Sequence, residues 1–278
     1  METPRRDFVD VSGARLLTVD EGEGPPILLL HAGIADHRAW DAMAPLLVDA
    51  GYRAIRYDAR SFGGSVTEDV PYSNRADAIA VLDAVGVDRA VLVGNSRGGV
   101  IAIDTAVEYP DRVVAVVGVA AGLSGYEAPA TPEEEALFEE MERLESAEPP
   151  DPDAIADIDV RLWVDGPGQS PDRVPSAIRE AVRSMDRPNY LPGHVDGQPI
   201  RLDPPAGERL AELRCPVLAV AGALDASESA HTARYLEANA PNARSVILPD
   251  VAHMIGMEAP DRLAALIQEF LAPLPRWS

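Results

Sequence analysis

The stretch Val91-Leu92-Val93-Gly94-Asn95-Ser96-Arg97-Gly98-Gly99 decides how the rest of this chain is read. An apolar run of strand character enters Gly-x-Ser-x-Gly, and helical spacing follows at Val100, Ile103, Ala106 and Val107. A serine on a sharp strand-to-helix turn stands above a sheet with its hydroxyl exposed, and the turn strains its backbone. Small residues are needed two places before and two after it, because the chain packs tightly on itself there; Gly94 and Gly98 supply them. The five-residue pattern alone recurs by chance. Set between a buried strand and a helix start, it is specific.

Outward from this turn the chain alternates. Phe8–Val11 and Ala14–Val19, split by Ser12-Gly13, predict an antiparallel hairpin. Apolar runs follow at Ile27–Leu30, Ala54–Tyr57, Ala90–Val93, Val113–Val119, Val217–Val220 and Ser245–Leu248. They lack polar alternation, which suits strands buried on both faces of a mostly parallel sheet. Helical patterns lie between them; in the last, Leu263, Leu266, Ile267, Phe270 and Leu271 share one face, with Pro260 in the first turn. The fold class is therefore α/β.

The rhythm fails between Glu127 and Pro205, where proline, acidic residues and helical spacing take over. Thr131-Pro132-Glu133-Glu134 predicts a capping box, opening a helix with Leu137, Phe138, Met141 and Leu144 as its apolar stripe. Ile155, Ile158 and Leu162 predict a second helix, and Ile178, Val182 and Met185 a third. This reads as a helical cap over residues 127–205, inserted after the sixth strand into a core made of residues 1–126 and 206–278.

Bulk properties bound the function. The chain of 278 residues carries 46 acidic against 24 basic side chains, a formal net charge of −22. So negative a surface repels phosphate backbones and anionic lipid, which excludes nucleic acid and membrane as expected partners. A small-molecule substrate is the expected partner, and a homodimer is left open. The single cysteine, Cys215, forms no internal disulfide and reads as a buried core thiol. No apolar leader opens the chain and no apolar run reaches the length of a membrane span, so the default location is cytoplasmic.

A serine hydroxyl is a poor nucleophile until a base takes its proton. In hydrolases built on such an elbow the chain order is serine, acid, histidine. Of the five histidines only His194, His231 and His253 follow Ser96, and His253 alone sits in a loop after the last strand run. The acid is expected at the end of the strand before it, where Val217–Ala223 leads through Leu224 to Asp225; Glu228 and Asp250 are weaker rivals. The alternative site, after Val119, offers no acid until Glu127. For an oxyanion the expected donors are the N–H of Arg97 and that of Ile34, in the loop His31-Ala32-Gly33-Ile34. His31 reads as a brace for that loop. Phe138, Met141 and Trp163 are candidate substrate contacts from the cap. No metal site and no cofactor motif is visible.

The His31–Gly33 loop, Asp58-Ala59-Arg60 with Gly63 and Ser65, the Gly94–Gly99 elbow, Gly222 with Asp225, and Ala252-His253-Met254 together resemble the α/β-hydrolase superfamily over nearly the whole chain. Within it the chain is similar to lid-bearing esterases and lactonases of the 3-oxoadipate enol-lactonase type. The resemblance implies cofactor-free hydrolysis of a small carboxylic ester or lactone through an acyl-enzyme. Three positions depart from the pattern: His-Ala-Gly stands where His-Gly is commoner, Ser61 where a glycine follows the arginine, and Arg97 where Met, Leu or Gln follows the nucleophile. A cation at position 97 would bias the site toward anionic substrates. Gly-Asn-Ser-x-Gly-Gly also occurs in C–C bond hydrolases of aromatic ring-fission products, which stay as the alternative. A ligand receptor on a hydrolase scaffold is a third reading, weakened by the complete set of candidate groups. Dehalogenases and epoxide hydrolases carry aspartate at this elbow, and Ser96 counts against both.

Overall fold

The computed structural model describes residues 3–277. Met1, Glu2 and Ser278, the outer ends of the two expected core segments, lie outside the described residues.

Eight main strands follow the apolar runs: β1 (Arg5–Val11), β2 (Ala14–Glu21), β3 (Pro26–Leu30), β4 (Arg53–Tyr57), β5 (Ala90–Asn95), β6 (Val113–Val119), β7 (Val217–Gly222) and β8 (Ala243–Leu248). They line up in the order β1-β2-β4-β3-β5-β6-β7-β8, with Val66–Thr67 adding a short ninth segment against β2. The β1–β2 hairpin and the β2–β4 pair are antiparallel, and every other pairing along the row is parallel.

The parallel strands are apolar throughout because both faces are covered. On β3, Leu28 and Leu30 enter one core while Ile27 and Leu29 enter the other; on β5, Leu92 faces opposite to Val91 and Val93. α2 (Asn74–Ala84), α3 (Arg97–Glu108) and α7 (Ser227–Asn239) cover the first face. α1 (Ala44–Asp49), the short α8 (Ile255–Glu258) and α9 (Pro260–Leu271) cover the second. In α9, Leu263, Ile267, Phe270 and Leu271 are buried, and Leu266 is half-buried against the same core.

After β6 comes the helical insertion. α4 (Pro132–Glu145) opens with a full capping box, in which Glu134 takes the Thr131 N–H at 2.7 Å and donates its own N–H to the Thr131 hydroxyl at 3.3 Å. The same buried carboxylate accepts the N–H and hydroxyl of Ser227, each at 2.6 Å, so the helix start is pinned to the start of α7. The α4 stripe of Leu137, Phe138, Met141 and Leu144 is half-buried, and only Glu134 of that helix is fully enclosed. α5 (Pro152–Asp159) runs into a π-helical turn, Val160–Asp165, and α6 (Ser176–Asp186) completes the layer. Val160, Val164, Val182 and Met185 pack with Ile34 and Met254, which seats this layer on the loops above the sheet.

The two ends of the insertion meet. The N–H of Gly207 donates to the Ser124 carbonyl at 2.8 Å, and that of Ala206 to the Ser124 hydroxyl at 2.9 Å. Ser124 in turn donates to Asp104 on α3 at 2.6 Å. Among the described residues no helix is long and apolar enough to cross a membrane. Cys215 is a buried free thiol, its pKa pushed up to about 11 by burial.

Candidate active site

The strand β5 ends at Asn95 and α3 begins at Arg97, so Ser96 is the whole of the turn between them. Its backbone has φ 54°, ψ −116°, a region that L-residues with a side chain rarely occupy. The surroundings over-determine it: the Ser96 N–H donates to Val119 O at 2.9 Å, and its carbonyl accepts from Gly99 and Val100. A Cβ at Gly94 would collide with the Gly98 carbonyl, and one at Gly98 with the Leu30 carbonyl. Both glycines are needed for close backbone approach at the elbow.

Asn95 has a part that the spacing of the motif does not announce. Its buried amide donates to Val119 O at 3.1 Å and to His253 O at 3.2 Å, tying the end of β6 and the loop after β8 to the elbow. The only available signal was its place inside the motif.

His253 lies in that loop, 3% exposed, and its Nδ1 bonds Asp225 Oδ2 at 2.8 Å. Asp225 follows β7 and its side chain is sealed from solvent; its other oxygen accepts the N–H of Ala226 at 2.8 Å. A carboxylate can only accept, so His253 Nδ1 carries the proton and Nε2 is left as the free base nitrogen. Ser96 and His253 both line one cavity of about 470 Å³, together with Arg97, Val100, Phe138 and Glu228. That size is in the range of small-molecule sites. Glu228 faces the cavity with its pKa raised by burial, and does not hold the histidine. Asp250, in left-handed backbone at φ 62°, is exposed, and its carbonyl accepts from Arg173.

The cap contributes unequally. Trp163, on the π-helical turn, lies with its ring centroid 4.6 Å from that of His253 and 5.9 Å from that of Phe138. Phe138 lines the cavity; Met141, one turn further along α4, does not. Arg173 grips Glu258 while Glu258 accepts the Ala252 N–H at 2.7 Å, so the cap is fastened beside the histidine.

The loop after β3 is braced as its sequence suggests. His31 Nδ1 donates to Ala32 O at 2.7 Å and Nε2 accepts the Ala59 N–H at 3.0 Å. Burial, helped by the charge of Arg97, lowers its pKa to about 4, so the ring is neutral. Ile34 is buried against the cap core, and a Cβ at Gly33 would lie in van der Waals contact with the Arg97 side chain. Ser61, standing where a glycine is commoner, adopts φ 75° and donates its hydroxyl to Val195 O at 2.6 Å. Glycine would suit that backbone without strain.

Asp36, His37 and Asp58 form one buried group of metal-ligating type. Most of their polar atoms are committed: Asp58 accepts the N–H and Nδ1–H of His37, each at 2.7 Å, and Asp36 is clasped by Arg38, while His37 Nε2 has no partner among the described residues. The three serve as a hydrogen-bonded strut under the loop.

The Alpha/beta hydrolase family matches this chain over residues 27–266. Epoxide hydrolase A of Mycobacterium tuberculosis is 35% identical over 126 residues, 43% of this chain and 39% of that protein. A 2-hydroxy-6-oxo-6-phenylhexa-2,4-dienoate hydrolase of Comamonas testosteroni is 37% identical over 102 residues, 34% of this chain and 35% of that one. The aligned stretches thus span well under half of these curated relatives. A thermophilic esterase structure from Thermogutta terrifontis superposes over 97% of this chain and 98% of its own, with a TM-score of 0.72 and 25% identity. The match to the family covers most of the sequence, and the strand order, the elbow and the cap after the sixth strand agree with it: this chain belongs to the alpha/beta hydrolase family.

Proposed function

We propose that the protein is a cofactor-free serine hydrolase that cleaves a small carboxylic ester or lactone through an acyl-enzyme. One observation carries this reading: Ser96, on its strained elbow, shares a cavity wall with His253, whose far nitrogen is held by the sealed carboxylate of Asp225. In the reaction His253 Nε2 takes the Ser96 proton as the oxygen adds to the substrate carbonyl. The N–H groups of Arg97 and Ile34 hold the oxyanion, and Asp225 stabilises the imidazolium. Collapse breaks the bond to the leaving oxygen, which receives the proton from His253. Water, deprotonated by the same histidine, then adds to the acyl carbon, and Ser96 leaves with the proton as the free acid departs.

A second reading, C–C bond hydrolysis of an aromatic ring-fission product, is favoured by the 37% identity over 102 residues to the Comamonas testosteroni dienoate hydrolase. Both readings use the same three side chains. An epoxide hydrolase of the usual kind would need a carboxylate at the elbow, and position 96 is serine.

Assays on p-nitrophenyl esters, small lactones and a ring-fission dienoate separate the two, with an organophosphonate label mapped by mass spectrometry. Turnover of the esters, label on Ser96 and loss of both in Ser96→Ala are expected. Full turnover in folded Ser96→Ala overturns the assignment.

A further inference from the structure

The side chain of Arg97 is placed as a ligand anchor would be. Its guanidinium lies over the Phe62 ring, 4.8 Å from the centroid, and Nη2 donates to Asn74 Oδ1 at 3.0 Å. Nη1 is sealed from solvent and finds no partner among the described residues. No carboxylate among them lies within ion-pair distance of it. The fully buried arginines are paired, Arg56 with Glu21 and Asp41, Arg60 with Asp77 and Arg75 with Glu108, whereas Arg97 is half-buried. With acidic residues outnumbering basic ones 46 to 24, a missing carboxylate beside this half-buried guanidinium is not for want of acids. A charged N–H held out of water without a partner is unfavourable, and the deficit is met when an anion arrives.

Arg97 also stands at a junction. It lines the reaction cavity with Ser96 and His253, and it lines a second cavity of about 640 Å³ whose wall includes Asn74, Arg75, Arg201 and Leu202. The buried hydroxyl of Tyr57, likewise without a partner, lies within electrostatic reach of the same guanidinium. Glu127 and Glu228 face the reaction cavity, and Asp104 and Asp203 face the second, where Arg75 and Arg201 join Arg97. Among the described residues Arg97 is the one basic side chain that lines both cavities, so a negative group on a substrate in either is drawn toward it.

We propose that Arg97 binds a free carboxylate on the substrate, making the enzyme selective for half-esters or carboxylated lactones in which that anion stands a short aliphatic chain from the scissile carbonyl. The inference rests on the ester-hydrolase reading for its substrate and goes beyond it in naming the charged end. The neighbouring position in the chain sets the geometry: the N–H of Arg97 is aimed at the developing oxyanion while its side chain holds the far end of the same molecule. A planar guanidinium meets a carboxylate with two parallel hydrogen bonds, which an ammonium does not reproduce.

The test compares mono-p-nitrophenyl glutarate with p-nitrophenyl valerate, which differ only in a terminal carboxylate against a methyl. The wild-type enzyme is expected to prefer the glutarate in kcat/KM. Arg97→Met is expected to lower that preference about ten- to hundredfold, through KM, with Arg97→Lys between the two. The ratio is the readout, so a general loss of rate in either variant does not mask it. A ratio equal to wild type in both variants overturns the proposal. Binding without turnover is read separately, from titration calorimetry of glutarate with the Ser96→Ala protein. Saturable binding that disappears in Ser96→Ala/Arg97→Met supports the anchor even if no ester is cleaved, in which case only the ester-hydrolase reading fails. Absence of glutarate binding to folded Ser96→Ala overturns the anchor itself.

Discussion

The indole of Trp163 lies across the imidazole of His253, centroids 4.6 Å apart and planes inclined at 45°. The tryptophan comes from the insertion and the histidine from the loop after β8, so the cap closes on the proposed base itself. Such a contact restricts the ring to one orientation and keeps water from one of its faces. It also explains why the cap is fastened so near, through Arg173 and Glu258.

Trp163→Ala is therefore expected to lower kcat/KM about tenfold, with Trp163→Phe retaining most of the activity, since a smaller ring still covers the imidazole. Steady-state kinetics beside a thermal melt check this. Equal rates in all three proteins would mean the contact only packs the cap.

Holding a serine at φ 54° stores on the order of 1–3 kcal/mol of strain. Ser96→Gly is expected to abolish ester hydrolysis while raising the melting temperature by about 2–4 °C, the relief being offset in part by glycine's greater unfolded-state freedom. A melting temperature below wild type would show that the elbow is relaxed.

Asp225→Asn is expected to cut kcat by about 10³–10⁴-fold, because an amide presents either its donor or a weaker acceptor to His253 Nδ1. Asp250→Asn, on an exposed turn away from that hydrogen bond, is expected to remain near wild type. The reverse pattern in the same assay would move the acid to Asp250.

His31 gives a signed dependence on pH. Its pKa falls from 6.5 to about 4 on folding, so its contribution, roughly 3 kcal/mol at most, is complete above the unfolded value and lost as pH drops through the folded one. His31→Gln is expected to melt below wild type at neutral pH, with the gap closing as pH falls to about 4. A gap independent of pH would show that the ring braces the loop in either charge state.

Within the cap, Asp159 and Asp186 are buried side by side, with Tyr190 donating to Asp159 at 3.2 Å. Burial, then the neighbouring carboxylate, pushes Asp186 well above the carboxylate range. A raised acid stabilises the fold fully below its unfolded pKa and loses that contribution as pH climbs through the folded value. Asp186→Asn is expected to gain melting temperature over wild type at about pH 8 and to show little difference at about pH 4. No gain on the alkaline side would argue that the pair relaxes into solvent.

Much of this was legible in the residues. Unbroken apolar runs such as Val113–Val119 marked strands covered on both faces, and the capping box at Thr131 marked the start of α4 to the residue. Ser96, His253 and Asp225 could be selected because each lies in the connection that follows a strand, where chain order limits the choice. The cap was less readable. Phe138, Met141 and Trp163 are alike as sequence, since a helical stripe tells which face turns inward but not what covers it. Only the tertiary placement sends Phe138 to the cavity, Trp163 onto the histidine and Met141 elsewhere. The π-helical turn at Val160–Asp165 was hidden for a similar reason: Ile155, Ile158 and Leu162 keep a helical period through it.

Ser124 receives the returning chain at Ala206 and Gly207, so the excursion between β6 and β7 is closed at its root by hydrogen bonds of its own. A foreign segment of another length could be spliced above that clasp without stretching any connection below it. Chimeras made there would exchange what the cavity is offered, provided the new segment keeps counterparts of Glu134, Trp163 and Arg173, which tie the insertion to the core.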